Sequence, residues 1–331
     1  MQWFAKKAPS LMKQPPKPLQ PPKTLVLSGG GVKGISFIGC VRNLEDRGLL
    51  KGVHNLIGTS FGSLVCYMLA LGMSSEDMLA LVLESLDVDN PPKAPARRDH
   101  KSCLYSIIRC IESSGFDDGT HLETCIKRPL IERHERSDIS FLEFAKLTGK
   151  NLVIIGSNIT LAASERFSLE TTPDMSVIRA LRVSTSIPLL FEPVVIDRNV
   201  YMDGALFKNF ALDLALHSSV DDVVGLLIED ELEHAENNNN NLSILYVAKL
   251  LVYAMLKRLN HLDATEVPPN VKIVRINSAE LLDAVLSKEK REKSASTVAA
   301  FYSMDTMSFL LTLEEAEAMM RFGFDKMADV R

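Results

Sequence analysis

The sequence predicts an α/β protein. Three stretches predict it, at residues 24–28, 55–59 and 151–157, each a short apolar run bounded by glycine or serine. The first leads through a glycine loop, and the second through a single turn, into apolar residues at helical spacing. Strands that alternate with helices are the pattern of a sheet built from crossover units.

Residues 56–64 carry the sharpest local signal: an apolar strand, then Gly58-Thr59-Ser60-Phe61-Gly62, then the start of an apolar helix. In a G-x-S-x-G turn the strand reverses so sharply into the helix that a Cβ at either glycine meets neighbouring backbone. The serine is held in a strained conformation with its hydroxyl pushed out of the sheet edge. The positive end of the following helix lies beside it. A nucleophile for acyl transfer stands in such a place.

Earlier in the chain, residues 24–28 run into Gly29-Gly30-Gly31-Val32-Lys33-Gly34 and then a helix carrying Ile35, Ile38, Val41 and Leu44. The loop matches G-x-G-x-x-G, so a Rossmann-type nucleotide site is one reading. That reading requires an acidic residue about 20 residues later, at the end of the second strand. The second strand ends instead in Gly58-Thr59-Ser60. A phosphate-binding P-loop is excluded because Lys33 precedes Gly34. The remaining use of such a loop is to aim backbone N–H groups at a developing oxyanion.

A serine hydroxyl needs a base. The seven histidines, at 54, 100, 121, 134, 217, 234 and 261, all read as surface or capping residues, and none follows a strand in a glycine turn. The remaining strand-end polar group is Asp203, which opens Asp203-Gly204-Ala205 after a hairpin formed by residues 192–196 and 200–202. A carboxylate is a weak base in water, so it has to touch the hydroxyl directly and be partly desolvated. Gly204 permits the close approach.

Taken together and in this order, the glycine loop 29–34, the turn 58–62 and Asp203-Gly204-Ala205 resemble the patatin-like phospholipases. Gly115-Phe116-Asp117, residues 180–188 and Phe191-Glu192-Pro193 extend the resemblance, which covers about residues 24–216. It implies a three-layer α/β/α fold with a mostly parallel central sheet and C-terminal helical additions. It also implies hydrolysis of acyl esters in phospholipids or other glycerolipids through a Ser–Asp dyad, with no metal and no cofactor. By the same resemblance, Ser60 is the nucleophile and Asp203 the general base. The N–H groups of Gly30 and Gly31 are oxyanion donors, and Lys33 supports the loop formed with Gly29, Val32 and Gly34. The pattern departs at Asn209-Phe210-Ala211, where a proline often follows the asparagine. A catalytically silent lipid-binding protein on the same fold is the alternative.

Composition sets the frame. The 331 residues, 46% of them hydrophobic, suffice for one α/β unit with a sizeable core. A net charge of −5 gives no electrostatic case for nucleic acid. The five cysteines, at 40, 66, 103, 110 and 125, include no C-x-x-C pair and read as free thiols in a reducing compartment. Residues 1–23, rich in Pro and Lys, read as a flexible or polyproline-like arm. They contain no continuous apolar core for a secretory signal, and no run in the chain approaches a membrane span. The expectation is a cytoplasmic protein that meets a membrane or lipid-droplet surface transiently, with residues 24–216 as the catalytic unit and 217–331 as its extension.

Between the motifs, helices are expected from residue 75 to about 86, over 102–113, 120–135 and 141–147, from Pro173-Asp174 to 183, and over 242–259. A turn is expected over 115–119, loops over 90–100 and the Asn-rich run 237–241, further strands at 165–169, 223–228 and 271–276, and a helical C-terminus.

Overall fold

A computed structural model describes residues 19–85, 115–215, 222–229, 251, 254, 271–285 and 312–330. The expected arm up to residue 18, the loop 90–100, the helix 102–113, the Asn-rich run and all but two residues of the helix 242–259 lie outside these.

Seven strands form one path across the sheet. In spatial order they are β10 (Lys272–Asn277), β9 (Val223–Glu229), β1 (Thr24–Leu27), β2 (Asn55–Thr59), β4 (Asn151–Asn158), β8 (Asn199–Asp203) and β7 (Val194–Ile196). The four pairings from β10 to β4 are parallel, and the β4–β8 and β8–β7 pairings are antiparallel. An eighth strand, β5 (Ala163–Ser168), pairs antiparallel with β4. The sheet is therefore mixed, parallel through its centre and antiparallel on one side.

The central parallel strands β9, β1, β2 and β4 are buried on both faces, which is why they read as apolar runs, whereas edge strand β10 exposes Lys272 and Arg275. Their side chains alternate. Leu25, Leu27, Leu56, Leu152 and Ile154 point into the larger core, and Val26, Ile57, Val153 and Ile155 into the smaller one. Helices α1 (Ile35–Asp46), α2 (Phe61–Ala70) and α3 (Ser75–Ser85) supply side chains to the larger core, joined by α4 (Thr120–His134), α5 (Phe141–Thr148) and α6 (Val177–Ser184). Phe210, Ala211, Leu212 and Ala215 close the smaller core.

Two C-terminal helices complete the described chain, α7 (Ser278–Val285) and α8 (Leu313–Ala328). The last of these packs on α1 with almost no space between backbones. A Cβ at Gly39 would sit 1.8 Å from the Met320 carbonyl oxygen, and one at Gly323 would sit 1.8 Å from that of Ser36. Cys40 Sγ and Asn43 Nδ2 donate to the carbonyls of Gly323 and Phe324 across the same crossing.

Two local expectations change. Residues Gly115–Asp117 are not a turn but a strand, β3, paired in parallel with β6 (Leu189–Phe191); the turn is confined to Asp118 and Gly119. The helix expected to open at Pro173-Asp174 starts at Val177, because Ser176 is its cap and accepts a hydrogen bond from the Arg179 N–H at 3.0 Å.

Candidate active site

The register of β4 brings the two candidate side chains together. Thr59, the last residue of β2, lies opposite Ile155, and Asp203, the last residue of β8, lies opposite Gly156. A strand has two hydrogen-bonding edges. Because β5 occupies one edge of β4 from Val153 to Asn158, β8 must take the other, in line with β2 and just past its end. Both chains leave the sheet at this junction, β2 into Ser60 and β8 into the turn at Gly204. Gly204 is required here, since a Cβ would sit 2.2 Å from the Ile155 carbonyl oxygen and 3.0 Å from Thr59 Cγ2.

Ser60 adopts φ 51°, ψ −127°, a conformation that costs an L-residue about 1–3 kcal/mol and persists only where the surroundings impose it. The glycines on either side are part of that imposition. A Cβ at Gly58 would stand 2.5 Å from Ser63 Cα, and one at Gly62 2.4 Å from the Ser28 carbonyl oxygen. The serine is nearly buried and its Oγ donates to Asp203 Oδ2 at 2.6 Å.

Asp203 is equally enclosed, and its other oxygen, Oδ1, accepts the Ala205 N–H at 2.8 Å. Burial disfavours the charged carboxylate and pushes its pKa up to about 7, while the bonds from Ser60 and Ala205 oppose the rise. Desolvation wins, and the group titrates near neutrality. No described histidine contacts either side chain. His54, His121 and His134 lie elsewhere, with His121 Nε2 against the Ser85 carbonyl at 3.1 Å.

The glycine loop faces the serine. A Cβ at Gly29 would come 3.1 Å from Ser60 Cβ and 2.7 Å from Asn209 Oδ1. The Gly29 N–H donates to that Asn209 oxygen at 3.0 Å, so it is already taken. Gly31 has φ 53° and opens the 3-10 turn Gly31–Gly34, whose leading N–H groups have no carbonyl behind them within the turn. Gly34 lies on the Phe61 ring, where a Cβ would meet Cδ1 at 2.3 Å, and Val32 packs against the larger core. Lys33 Nζ donates to Ser278 Oγ at 3.1 Å, which ties the loop to the start of α7.

Sequence reasoning gave no separate role to a second tier of residues that fixes this pair. Ser184 Oγ accepts the Ser60 N–H at 2.9 Å and donates to the Ile155 carbonyl at 2.6 Å, joining the turn to β4 through one hydroxyl. The Asp203 N–H donates to the Ser186 carbonyl at 2.9 Å. Arg182, only 5% exposed, donates to Ser186 Oγ at 2.6 Å and to the carbonyls of Asp118 at 2.9 Å and Glu192 at 3.2 Å. Its guanidinium also lies 5.3 Å from the centre of the Phe191 ring. Burial draws the Arg182 pKa down, while Asp117, Glu123, Asp118 and Glu192 oppose the shift. The signal was present as a single arginine and three hydroxyls in residues 182–186, but their partners lie more than 60 residues away in Asp118 and nearly 30 away in Ile155.

Among the described residues no group of three or more His, Cys, Asp and Glu side chains is arranged to hold a metal ion. Likewise, no described helix is long and apolar enough to cross a membrane.

The chain is similar to known proteins in sequence or in fold. A probable lipid hydrolase of Invertebrate iridescent virus 6 is 31% identical over 199 residues, 59% of this chain and 63% of that protein. An uncharacterized protein of Acanthamoeba polyphaga mimivirus is 27% identical over 221 residues, 66% of this chain and 69% of its own length. The crystal structure of VipD from Legionella pneumophila superposes with a TM-score of 0.52 at 19% identity, over 93% of this chain and 66% of that one, a likeness of fold. The chain thus spans about two thirds of the length of each. The sequence model of the patatin-like phospholipases matches residues 25–216, more than half of the chain and all three glycine-bearing motifs, and on that match the chain belongs to the patatin-like phospholipase family.

Proposed function

We propose that the protein is a serine esterase that cleaves the carboxylic ester bonds of phospholipids or other glycerolipids through a Ser60–Asp203 dyad. Family membership supports lipid hydrolysis, and the name of the viral relative agrees. The observation that carries the finer reading is the 2.6 Å hydrogen bond from Ser60 Oγ to a buried Asp203.

In this mechanism Asp203 accepts the Ser60 proton as Oγ bonds to the ester carbonyl carbon. The carbonyl π electrons move onto oxygen, and the N–H groups of Gly30 and Gly31 hold the resulting oxyanion. One such donor is worth about 10²–10³ in rate. Gly29, whose own N–H is engaged by Asn209, shapes the loop with Val32 and Gly34 and donates nothing to the reaction. Collapse of the tetrahedral species expels the alcohol oxygen, which takes the proton from Asp203 and leaves an acyl-Ser60. Water then gives a proton to Asp203, attacks the acyl carbon and releases the fatty acid, and the proton returns to Ser60. A base with its pKa pushed up to about 7 suits this cycle, because it accepts and returns a proton near neutral pH.

The reading places the protein in the cytoplasm and at a membrane or droplet surface only during turnover. Mass spectrometry of products from mixed phospholipids and triacylglycerols tests it. Free fatty acid from the wild-type chain and none from Ser60→Ala is expected, and equal release by both would overturn it.

A further inference from the structure

We propose that the tip of the β4–β5 hairpin, together with the exposed face of the adjoining strand β7, forms the surface by which this protein docks on a phospholipid bilayer. The proposal rests on the lipid-hydrolase reading and names the part of the molecule that meets the substrate's own medium.

The placement follows from the sheet. Ser60 leaves β2 at the rung of Ile155, and β4 runs on in the same direction through Asn158 before it turns. Four further residues at about 3.3 Å each carry Ile159 roughly 13 Å beyond that rung. The tip therefore stands past the edge of the sheet from which Ser60 and Asp203 emerge.

Its composition is unusual for a projecting loop. Residues 157–164, Ser-Asn-Ile-Thr-Leu-Ala-Ala-Ser, contain no charge, and 159–164 are exposed. Leu161 is 63% exposed, Ile159 38%, and Val195 on the adjoining hairpin 56%. Single exposed apolar side chains are ordinary on a protein surface. These three belong to one unit, because the Ile159 N–H donates to the Val200 carbonyl at 2.8 Å and the Val200 N–H donates to Thr160 Oγ1 at 2.9 Å.

The tip is also prepared to leave water. An unpaired N–H is costly in an apolar medium. Here the Leu161 N–H donates to Asn158 Oδ1 at 3.1 Å, the Ala162 N–H donates to the Ile159 carbonyl at 3.4 Å, and the Ile159 N–H is paired as above. Charged groups flank it. Arg179 donates to the Val195 carbonyl at 2.7 Å, and the β7–β8 turn beside the tip carries Asp197 and Arg198. Arg179 and Arg198 meet lipid phosphates at the headgroup level, where Asp197 stays hydrated, while Ile159 and Leu161 enter the acyl boundary, a depth of about 5–10 Å. Such a depth leaves the mouth of the site among the headgroups, where an ester bond lies.

The test is sedimentation of the 331-residue chain with vesicles of phosphatidylcholine and phosphatidylserine. Ser60→Ala protein, which cannot consume the vesicles, is compared with the same protein carrying Leu161→Asp and Val195→Asp. The expected result is at least a tenfold weaker partition, with a similar loss of vesicle hydrolysis when Ser60 is present. A water-soluble short-chain ester should be cleaved at the wild-type rate. The uncharged pair Leu161→Ser and Val195→Thr, checked by circular dichroism, separates loss of docking from loss of fold and should weaken partition in the same direction. Unchanged partition in both pairs would overturn the proposal. So would a wild-type chain that is dimeric in light scattering and made monomeric by the substitutions, since the tips would then join copies of the protein. Soluble-ester turnover that survives Ser60→Ala, with vesicle binding still dependent on Leu161, would refute the dyad and leave the docking surface standing.

Discussion

Thr59 and Asp203 stand opposite consecutive residues of one strand, Ile155 and Gly156. The ends of two strands that run in opposite directions therefore meet on a single edge, and the next residue of one, Ser60, falls within hydrogen-bond reach of the other. The pair is set by backbone register, so substitutions that move the register or the turn should act on chemistry as strongly as substitutions of the pair itself.

The elevated pKa of Asp203 predicts the acid limb of the rate profile. In the proposed mechanism Asp203 must be ionised to act as the base, so kcat/KM should rise with pH through about 7 and level off above it. Asp203→Asn should abolish that limb along with most of the activity. A limb near the ordinary carboxylate range would mean that water reaches Asp203.

The same shift has a consequence for stability. The ordinary aspartate value is 3.8, and the folded value is about 7. Between these the folded chain keeps a proton that the unfolded chain has released, so this group's contribution to stability falls as pH rises from about 4 to 7. Asp203→Asn, which cannot ionise, should raise the melting temperature relative to wild type more at pH 8 than at pH 4. Thermal melts of the two proteins at both values check the sign.

Ser184 is expected to position rather than react. Ser184→Ala leaves the Ser60 N–H and the Ile155 carbonyl without their shared partner, at a cost of about 1–3 kcal/mol. Displacement of Ser60 should lower kcat by about 10–100-fold with KM for a soluble ester little changed. An equal fall confined to KM would argue instead for a role in the substrate pocket.

Gly62→Ala should damage both fold and rate, because the new methyl lands 2.4 Å from a backbone oxygen that cannot rotate away. Overpacking of this kind costs about 1–3 kcal/mol. Gly323→Val, at the α1–α8 crossing and far along the chain from the dyad, should destabilise by at least as much. Chemical denaturation measures both. Near-neutral values at Gly323 would show that the helices separate freely.

What was legible in the sequence follows from the range of the forces. The turn at 58–62 was readable in part because Gly58 is demanded by Ser63, five residues on, whereas the glycines of the loop at 29–34 answer to distant Asn209, Ile228 and Phe61 and were readable only as a pattern between strand and helix. The strands β1, β2 and β4 were readable as apolar runs because both of their faces are buried. By contrast, β3 was mistaken for a turn because its partner among the described residues is β6, more than 70 residues later. The start of α6 was misplaced because Pro173 is a common helix opener, whereas Ser176 supplies the cap. The work of Arg182 was invisible for a further reason: a charged residue on a helix reads as solvated until the carbonyls of Asp118 and Glu192 are seen to converge on it.

The most direct test of the central claim is covalent. The chain is exposed to a fluorophosphonate and the labelled peptide is identified by mass spectrometry. A single adduct on Ser60, formed faster as pH rises through about 7 and nearly lost in Asp203→Asn, is the predicted result. An adduct on another residue, or labelling of Ser60 indifferent to Asp203, would contradict the dyad.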